Sequence, residues 1–209
     1  MKKITRYMLS KLGGKAATRE EIAEICKSFG AKVDSTINFM ISYGYLVRIL
    51  RGLYYVKTIE EFGLKKSKDI LEIVSLGMNK LGVKWYFGLH TGLRLNGLTH
   101  EFSDIVFVMN DKVYRPKEIV IGGQKVKFIK LVSKLFGFGV EVRNAMKFSN
   151  VEKTLLDLVY ISRYRSVPET KVLSMIEDYR GNAETEKFKD YLKFYPKAME
   201  RMIANAGFV

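Results

Sequence analysis

The stretch YGYLVRILRGLYYVK, residues 43–57, constrains the fold more than any other part of this chain. Two runs rich in β-branched and aromatic residues, YLVRI and LYYV, are joined across Leu50-Arg51-Gly52. That pattern predicts a tight hairpin in which Gly52 supplies the backbone freedom of the turn. Arg48 and Arg51 fall near its tip. What precedes the hairpin decides what those cations are for.

Three helical patterns precede it. Residues 2–12 place Ile4, Tyr7, Met8 and Leu12 on one face and should stop at Gly13-Gly14. In ATREEIAEICKSFG, Thr18 is an N-cap with Glu21 three residues on, a capping box that leaves Ile22, Ile25 and Phe29 for the core and Gly30 as terminator. After a short turn, Asp34 or Ser35 can cap a third helix running to Tyr43 and ended by Gly44. Val33, Ile37, Met40 and Ile41 share one face of that helix, and Ser35, Asn38, Phe39 and Ser42 share the other. Helix, helix, glycine-containing turn, helix and hairpin is the order of a winged helix-turn-helix. Its third helix enters the major groove, and its hairpin, the wing, reaches the phosphates or the minor groove.

Charge agrees with that reading. The chain of 209 residues carries a formal net charge of +14, which favours polyanionic partners and nucleic acid first among them. Residues 1–58 hold eleven lysines and arginines against four acidic residues, a net of +7 in little more than a quarter of the chain. The predicted contacts to double-stranded DNA are Lys32, Ser35, Thr36, Asn38, Phe39, Ser42, Arg48 and Arg51. Phe39 fits two roles: contact with a thymine methyl, or packing on a protein partner. A protein-contact module is therefore the alternative use of the same architecture.

No apolar run approaches the roughly 20 residues of a membrane span. The basic N-terminus MKKITRYMLSKLGGK lacks the apolar stretch of a secretory signal. Cys26 is the single cysteine, which excludes an internal disulfide and a cysteine-rich zinc site. A cytoplasmic protein without membrane attachment is expected.

Residues 59–72 are polar and contain Gly63, and they predict a connector between the domain at 1–58 and a second one at 73–209. The second domain is expected to be mixed α/β, with a small sheet and C-terminal helices, so that the class is α+β. DILEIVSLGMNKLG and WYFGLHTGLRLNGLTH predict helices, the latter with Gly88 and Gly92 permitting close packing. DIVFVMN predicts a strand, KEIVIGGQKVKFIKLV a hairpin around Gly122-Gly123, and GVEVRNAMKFSN a further strand. From Val151 the pattern is helical, with Pro168 near one helix start and Pro196 dividing the last helix.

Little in this half points to catalysis. His90 and His100 lack metal-ligand spacing, and the Gly122-Gly123 pair is neither a dinucleotide nor a phosphate-loop fingerprint. Asp104 with Glu118 or Glu141 is the one acidic set that could hold a metal for a nuclease, and nothing fixes its spacing. No enzyme activity, cofactor or metal is expected.

RGLYYV closing the first domain, WYFGLHTGLRLNGLTH opening the next, DIVFVMN, and then FSNVEKTLLDLVY follow one another from about Thr5 to about Tyr160. In that order they resemble the AbiEi-type antitoxins, transcriptional regulators of abortive-infection (type IV) toxin–antitoxin systems. The resemblance implies an N-terminal winged helix that represses its own operon by binding promoter repeats, as a monomer or a dimer on DNA. It implies a C-terminal domain linked to antitoxicity. The functional partner would be a nucleotidyltransferase-like toxin, counteracted without a stable complex. Ser35, Asn38, Ser42, Arg48 and Arg51 would then contact the operator, while His90 to Gly97 and Glu152, Lys153 and Asp157 would be structural.

Overall fold

The computed structural model describes residues 2–64, 68–99, 103–164, 167–205 and 207. It is a mixed α+β fold with ten α-helices and two β-sheets among those residues. The chain forms two compact units, residues 1–83 with 120–124, and residues 84–119 with 125–209.

The first unit runs α1 (Lys3–Leu12), β1 (Ala16–Thr18), α2 (Arg19–Ser28), α3 (Val33–Ser42), β2 (Leu46–Leu50), β3 (Leu53–Val56), α4 (Ile59–Gly63) and α5 (Ile70–Lys80). Its strands form an antiparallel sheet in the order β1-β3-β2. Met8, Leu9, Ile22, Ile25, Ile37 and Met40 from the first three helices pack on Leu46, Tyr54 and Val56 of the sheet. The capping box at Thr18 is formed in full, with the Thr18 hydroxyl accepting from Glu21 N–H and the Glu21 carboxylate from Thr18 N–H.

Several expectations need correction. The three-residue strand β1 was not foreseen. Neither Asp34 nor Ser35 caps α3; Lys32 precedes it without a side-chain cap. Phe29 falls at the C-cap of α2, beyond the helical face, and is largely exposed beside the Tyr7 ring, 5.3 Å away. Phe39 is not on a freely exposed face but is partly buried against the core.

The boundary expected at residue 58 also moves. A capping box at Thr58 and Glu61 starts α4, and the Tyr55 hydroxyl donates to Glu61 at 2.6 Å, so the segment after β3 is pinned to the sheet. Residues 65–67 of the predicted connector lie outside the described residues. Helix α5, predicted for the second domain, packs on β1, β2 and β3 of the first unit. Gly77 permits this: a Cβ there would lie 2.8 Å from Ile49 Cδ1. The ion pair of Lys80 with Glu21, at 2.6 Å, ties its far end to α2.

The second unit contains β4 (Trp85–Phe87), α6 (Leu89–Leu95), β5 (Ile105–Asn110), β6 (Ile119–Ile121), β7 (Gln124–Lys130), β8 (Val140–Arg143) and β9 (Met146–Ser149). After them come α7 (Val151–Tyr164), α8 (Glu169–Glu177), α9 (Thr185–Leu192) and α10 (Lys197–Asn205). The six strands form a mixed sheet in the order β6-β7-β5-β4-β9-β8, with β5 parallel to β7 and β4 parallel to β9. Tip residues 120–124 of the β6–β7 hairpin are grouped with the first unit.

Trp85–Phe87, expected as helix, is a central strand. Its three aromatic side chains are all buried, which suits a strand covered on both faces. Gly88 and Gly92 do allow close packing, since a Cβ at Gly92 would lie 2.8 Å from both Ser149 Oγ and Thr154 Oγ1. Residues 140–149 form two strands rather than one. Asn144 and Ala145, both at positive φ, make the turn between them.

Candidate nucleic-acid interface

Lys32, Ser35, Asn38 and Ser42 are exposed along α3, while Thr36 and Phe39 are half-buried. The hydroxyls of Thr36 and Ser42 donate to the carbonyls of Lys32 and Phe39, both at 2.9 Å, so these side chains lie close against the helix. Asn38 presents an amide with donor and acceptor together, the chemistry that reads adenine in a major groove. Lys2 Nζ lies 4.4 Å from the centre of the Phe39 ring, which supports the aromatic residue with a cation.

The hairpin closes through Leu50 paired with Leu53, leaving Arg51 and Gly52 as a two-residue turn with Gly52 at φ +79°. Arg48 pairs across the strands with Tyr54 and is exposed, as is Arg51. Alternation along β2 puts Arg48 on the same sheet face as Leu46, the face on which α1 to α3 pack.

Arg19 was not among the predicted contacts. Its backbone N–H donates to Gly52 O at 2.8 Å, and its guanidinium meets Asp34 Oδ1 at 2.8 Å. One residue thus fixes the hairpin turn and the first turn of α3. The hydrogen bond and charge of Asp34 push the Arg19 guanidinium above its ordinary value. This pairing also neutralises the one acidic side chain in the first turn of α3, which would otherwise repel phosphate. No local sequence signal marks it, because its partners are 15 and 33 residues away in the chain.

The other predicted residues of interest do not converge. His100 lies outside the described residues. Asp104 directly precedes the inner strand β5, Glu118 precedes β6 at one edge of the sheet, and Glu141 lies on β8 at the other edge, so the three expected acidic residues sit on separate strands. Among the described residues no three His, Cys, Asp or Glu side chains are grouped as a metal site.

Glu152, Lys153 and Asp157 are buried on α7. Asp157 accepts from the hydroxyls of Tyr86 and Tyr195, both at 2.7 Å, and Lys153 Nζ lies 3.7 Å from it. The ammonium sits over the rings of Phe138, at 4.4 Å, and Tyr86, at 4.8 Å. Burial lowers the Lys153 pKa despite Asp157, and burial raises that of Asp157 despite its cation and its two hydroxyl donors. Glu152 accepts from Glu184 N–H at 2.8 Å, joining α7 to the start of α9.

No protein-family model and no curated protein matches the chain. Among solved structures it is similar to the crystal structure of the RV2827C protein from Mycobacterium tuberculosis. The TM-score is 0.59 at 11% sequence identity, over 97% of this chain and 74% of that one. At this identity the likeness concerns the fold alone, a mixed α+β architecture.

Proposed function

We propose that this chain is a sequence-specific DNA-binding repressor of its own operon, with residues 1–58 acting as a winged helix-turn-helix. In this reading it serves in the cytoplasm as the antitoxin of an AbiE-like pair. The observation that carries the proposal is the surface formed by α3 and the β2–β3 hairpin. Short polar side chains, Ser35, Asn38 and Ser42, stand exposed on the helix with Lys32 at its start, and Arg48 and Arg51 stand exposed on the hairpin. A groove-reading helix flanked by cations needs this combination. The antitoxin role rests on the sequence resemblance, and its functional partner is then a nucleotidyltransferase-like toxin. The protein works by binding and not by catalysis.

Fluorescence anisotropy with the gene's own upstream DNA and a scrambled duplex of equal length, at several salt concentrations, tests the reading. Preference for the upstream DNA by a factor of about a thousand or more is expected of a specific regulator. Equal and steeply salt-dependent binding to both would reduce the +14 charge to a general affinity for phosphate.

One observation favours a second reading, a module that captures a toxin directly. Phe39, Tyr43, Tyr45 and Phe62 form a continuous run of ring contacts, and Tyr43 is 60% exposed with Leu64 75% exposed. A stable complex co-purifying with the neighbouring gene product would support this reading over the first.

A further inference from the structure

The second unit holds a cleft of about 840 Å³ that the DNA-binding reading does not use. It lies where β5 and β7 end together: these parallel neighbours run in register from Ile105 beside Lys125 to Asn110 beside Lys130. The carboxyl ends of parallel strands are where open α/β sheets commonly bind ligands, and the volume is that of a small-molecule pocket.

Its walls join two chemistries. Leu131, Ile129 and Ile161 give an apolar floor, and Tyr114, 70% exposed, adds an aromatic side chain to the lining. Arg115, Lys127 and Lys130 line the same space, against Asp111 as the one acidic lining residue among the described residues. Asp111 already accepts a hydrogen bond from Lys84 N–H at 3.1 Å. Neither Arg115 nor Lys130 has an acidic partner among the described residues.

The rim is braced in advance. Asn110, fully buried, accepts from the N–H groups of Lys112 and Val113 and donates to Ile129 O at 3.2 Å, holding the loop after β5 onto β7. Lys127 Nζ donates to Pro116 O at 2.6 Å and closes the same loop. A loop backbone so fixed loses little further freedom when a ligand enters.

We infer that this cleft binds a nucleoside phosphate, its base against Tyr114 and the apolar floor and its phosphates on Arg115 and Lys130. An aromatic side chain beside a pair of cations with free donors suits a ligand that is planar at one end and polyanionic at the other.

Isothermal titration of the full chain with ATP, GTP, adenosine and inorganic triphosphate tests the inference. ATP or GTP should bind more tightly than either adenosine or triphosphate, the two halves of the ligand. Arg115→Ala/Lys130→Ala should weaken nucleotide binding by about ten-fold or more. Tyr114→Ala should weaken nucleotide but not triphosphate binding. These side chains are not part of the core, and circular dichroism checks that the variants fold. The inference fails if no nucleotide binds at millimolar concentration, if triphosphate binds as well as ATP, or if the variants bind like wild type. It fails equally if a single-stranded oligonucleotide displaces ATP at far lower concentration, because the cleft would then be a track for nucleic acid.

Discussion

Arg19 and Asp34 meet at 2.8 Å, joining the start of α2 to the first turn of α3, while the Arg19 backbone holds the hairpin turn at Gly52. Both side chains are well exposed, so the pair adds little to stability and acts mainly on surface potential. Arg19→Ala should weaken operator binding several-fold by leaving Asp34 unpaired. Asp34→Asn should strengthen it by a comparable factor at low salt. Both effects should shrink as salt rises. Unchanged affinity in both variants, read by anisotropy, would remove the pair from the interface.

Arg48→Ala and Arg51→Ala should each lower the slope of log affinity against log salt by about one, with losses similar on specific and scrambled DNA. Asn38→Ala should leave that slope alone and reduce discrimination between sequences, by about 1–3 kcal/mol if its amide reads a base. A double arginine variant that kept the wild-type slope would show that the hairpin does not touch phosphate.

Lys153→Met should destabilise the fold by about 3–5 kcal/mol, because it leaves Asp157 buried without its cation. Asp157→Asn should cost a similar amount, and the double variant should lose less than the sum of the two. In Lys153→Met the already raised pKa of Asp157 rises further. A carboxyl raised in this way stabilises fully below its unfolded value of about 3.9, and the contribution is lost as pH climbs toward the folded value. That unfolded value is common to wild type and variant, so the deficit of Lys153→Met, followed by urea unfolding, should grow only as pH rises past the raised folded value of Asp157 in the wild type. A deficit independent of pH would mean that Asp157 is indifferent to its neighbour.

Glu61 has the opposite sign. Burial opposes its ionisation, but donors from Tyr55 and from the N–H groups of Thr58 and Lys68 outweigh burial and hold the carboxyl below its ordinary range. Its contribution is present above the unfolded value of about 4.3 and is lost as pH falls through the lower folded value. Glu61→Gln should cost about 1 kcal/mol at neutral pH, a modest figure because the group is partly solvated. It should also remove this part of the acid sensitivity. Identical acid unfolding profiles for variant and wild type would contradict the assignment.

Gly92→Ala places a methyl 2.8 Å from Ser149 Oγ and Thr154 Oγ1, which themselves share a buried hydrogen bond of 2.6 Å. Overpacking there should cost about 1–3 kcal/mol in thermal or denaturant unfolding. Gly44→Ala meets no neighbouring atom, yet it strains a backbone at φ +74°, and it serves as a control for conformational cost alone. If Gly92→Ala lost no more than this control, the close approach of α6 to β9 and α7 would be unimportant.

Much of the first unit is legible in its sequence because its signals are local. The capping box at Thr18, the stop at Gly13-Gly14 and the turn at Arg51-Gly52 depend on residues within a few positions of one another, and each forms where the pattern places it. The exposed polar face of α3 follows from helical periodicity in the same way, so Ser35, Asn38 and Ser42 could be named in advance. Phe39 could not be placed correctly, because a large side chain at the edge of a helix face turns toward whatever core lies beside it.

What local pattern leaves open is decided by contacts distant in the chain. Trp85–Phe87 has no alternation to mark it as a strand, and only the strands β5 and β9 on either side make it one. Helix α5 is plain in the sequence, but its membership in the first unit depends on Gly77 meeting Ile49 and Leu53. The two roles of Arg19, the caged ammonium of Lys153 and the cleft at the ends of β5 and β7 likewise exist only once remote segments are brought together. The sequence by itself determined the first three helices, the turns at Gly13-Gly14 and Arg51-Gly52 and the basic charge, since short-range hydrogen bonding and periodicity dictate them. Tertiary structure alone decided which face each element buries against another, because burial free energy belongs to pairs of surfaces and not to either segment alone.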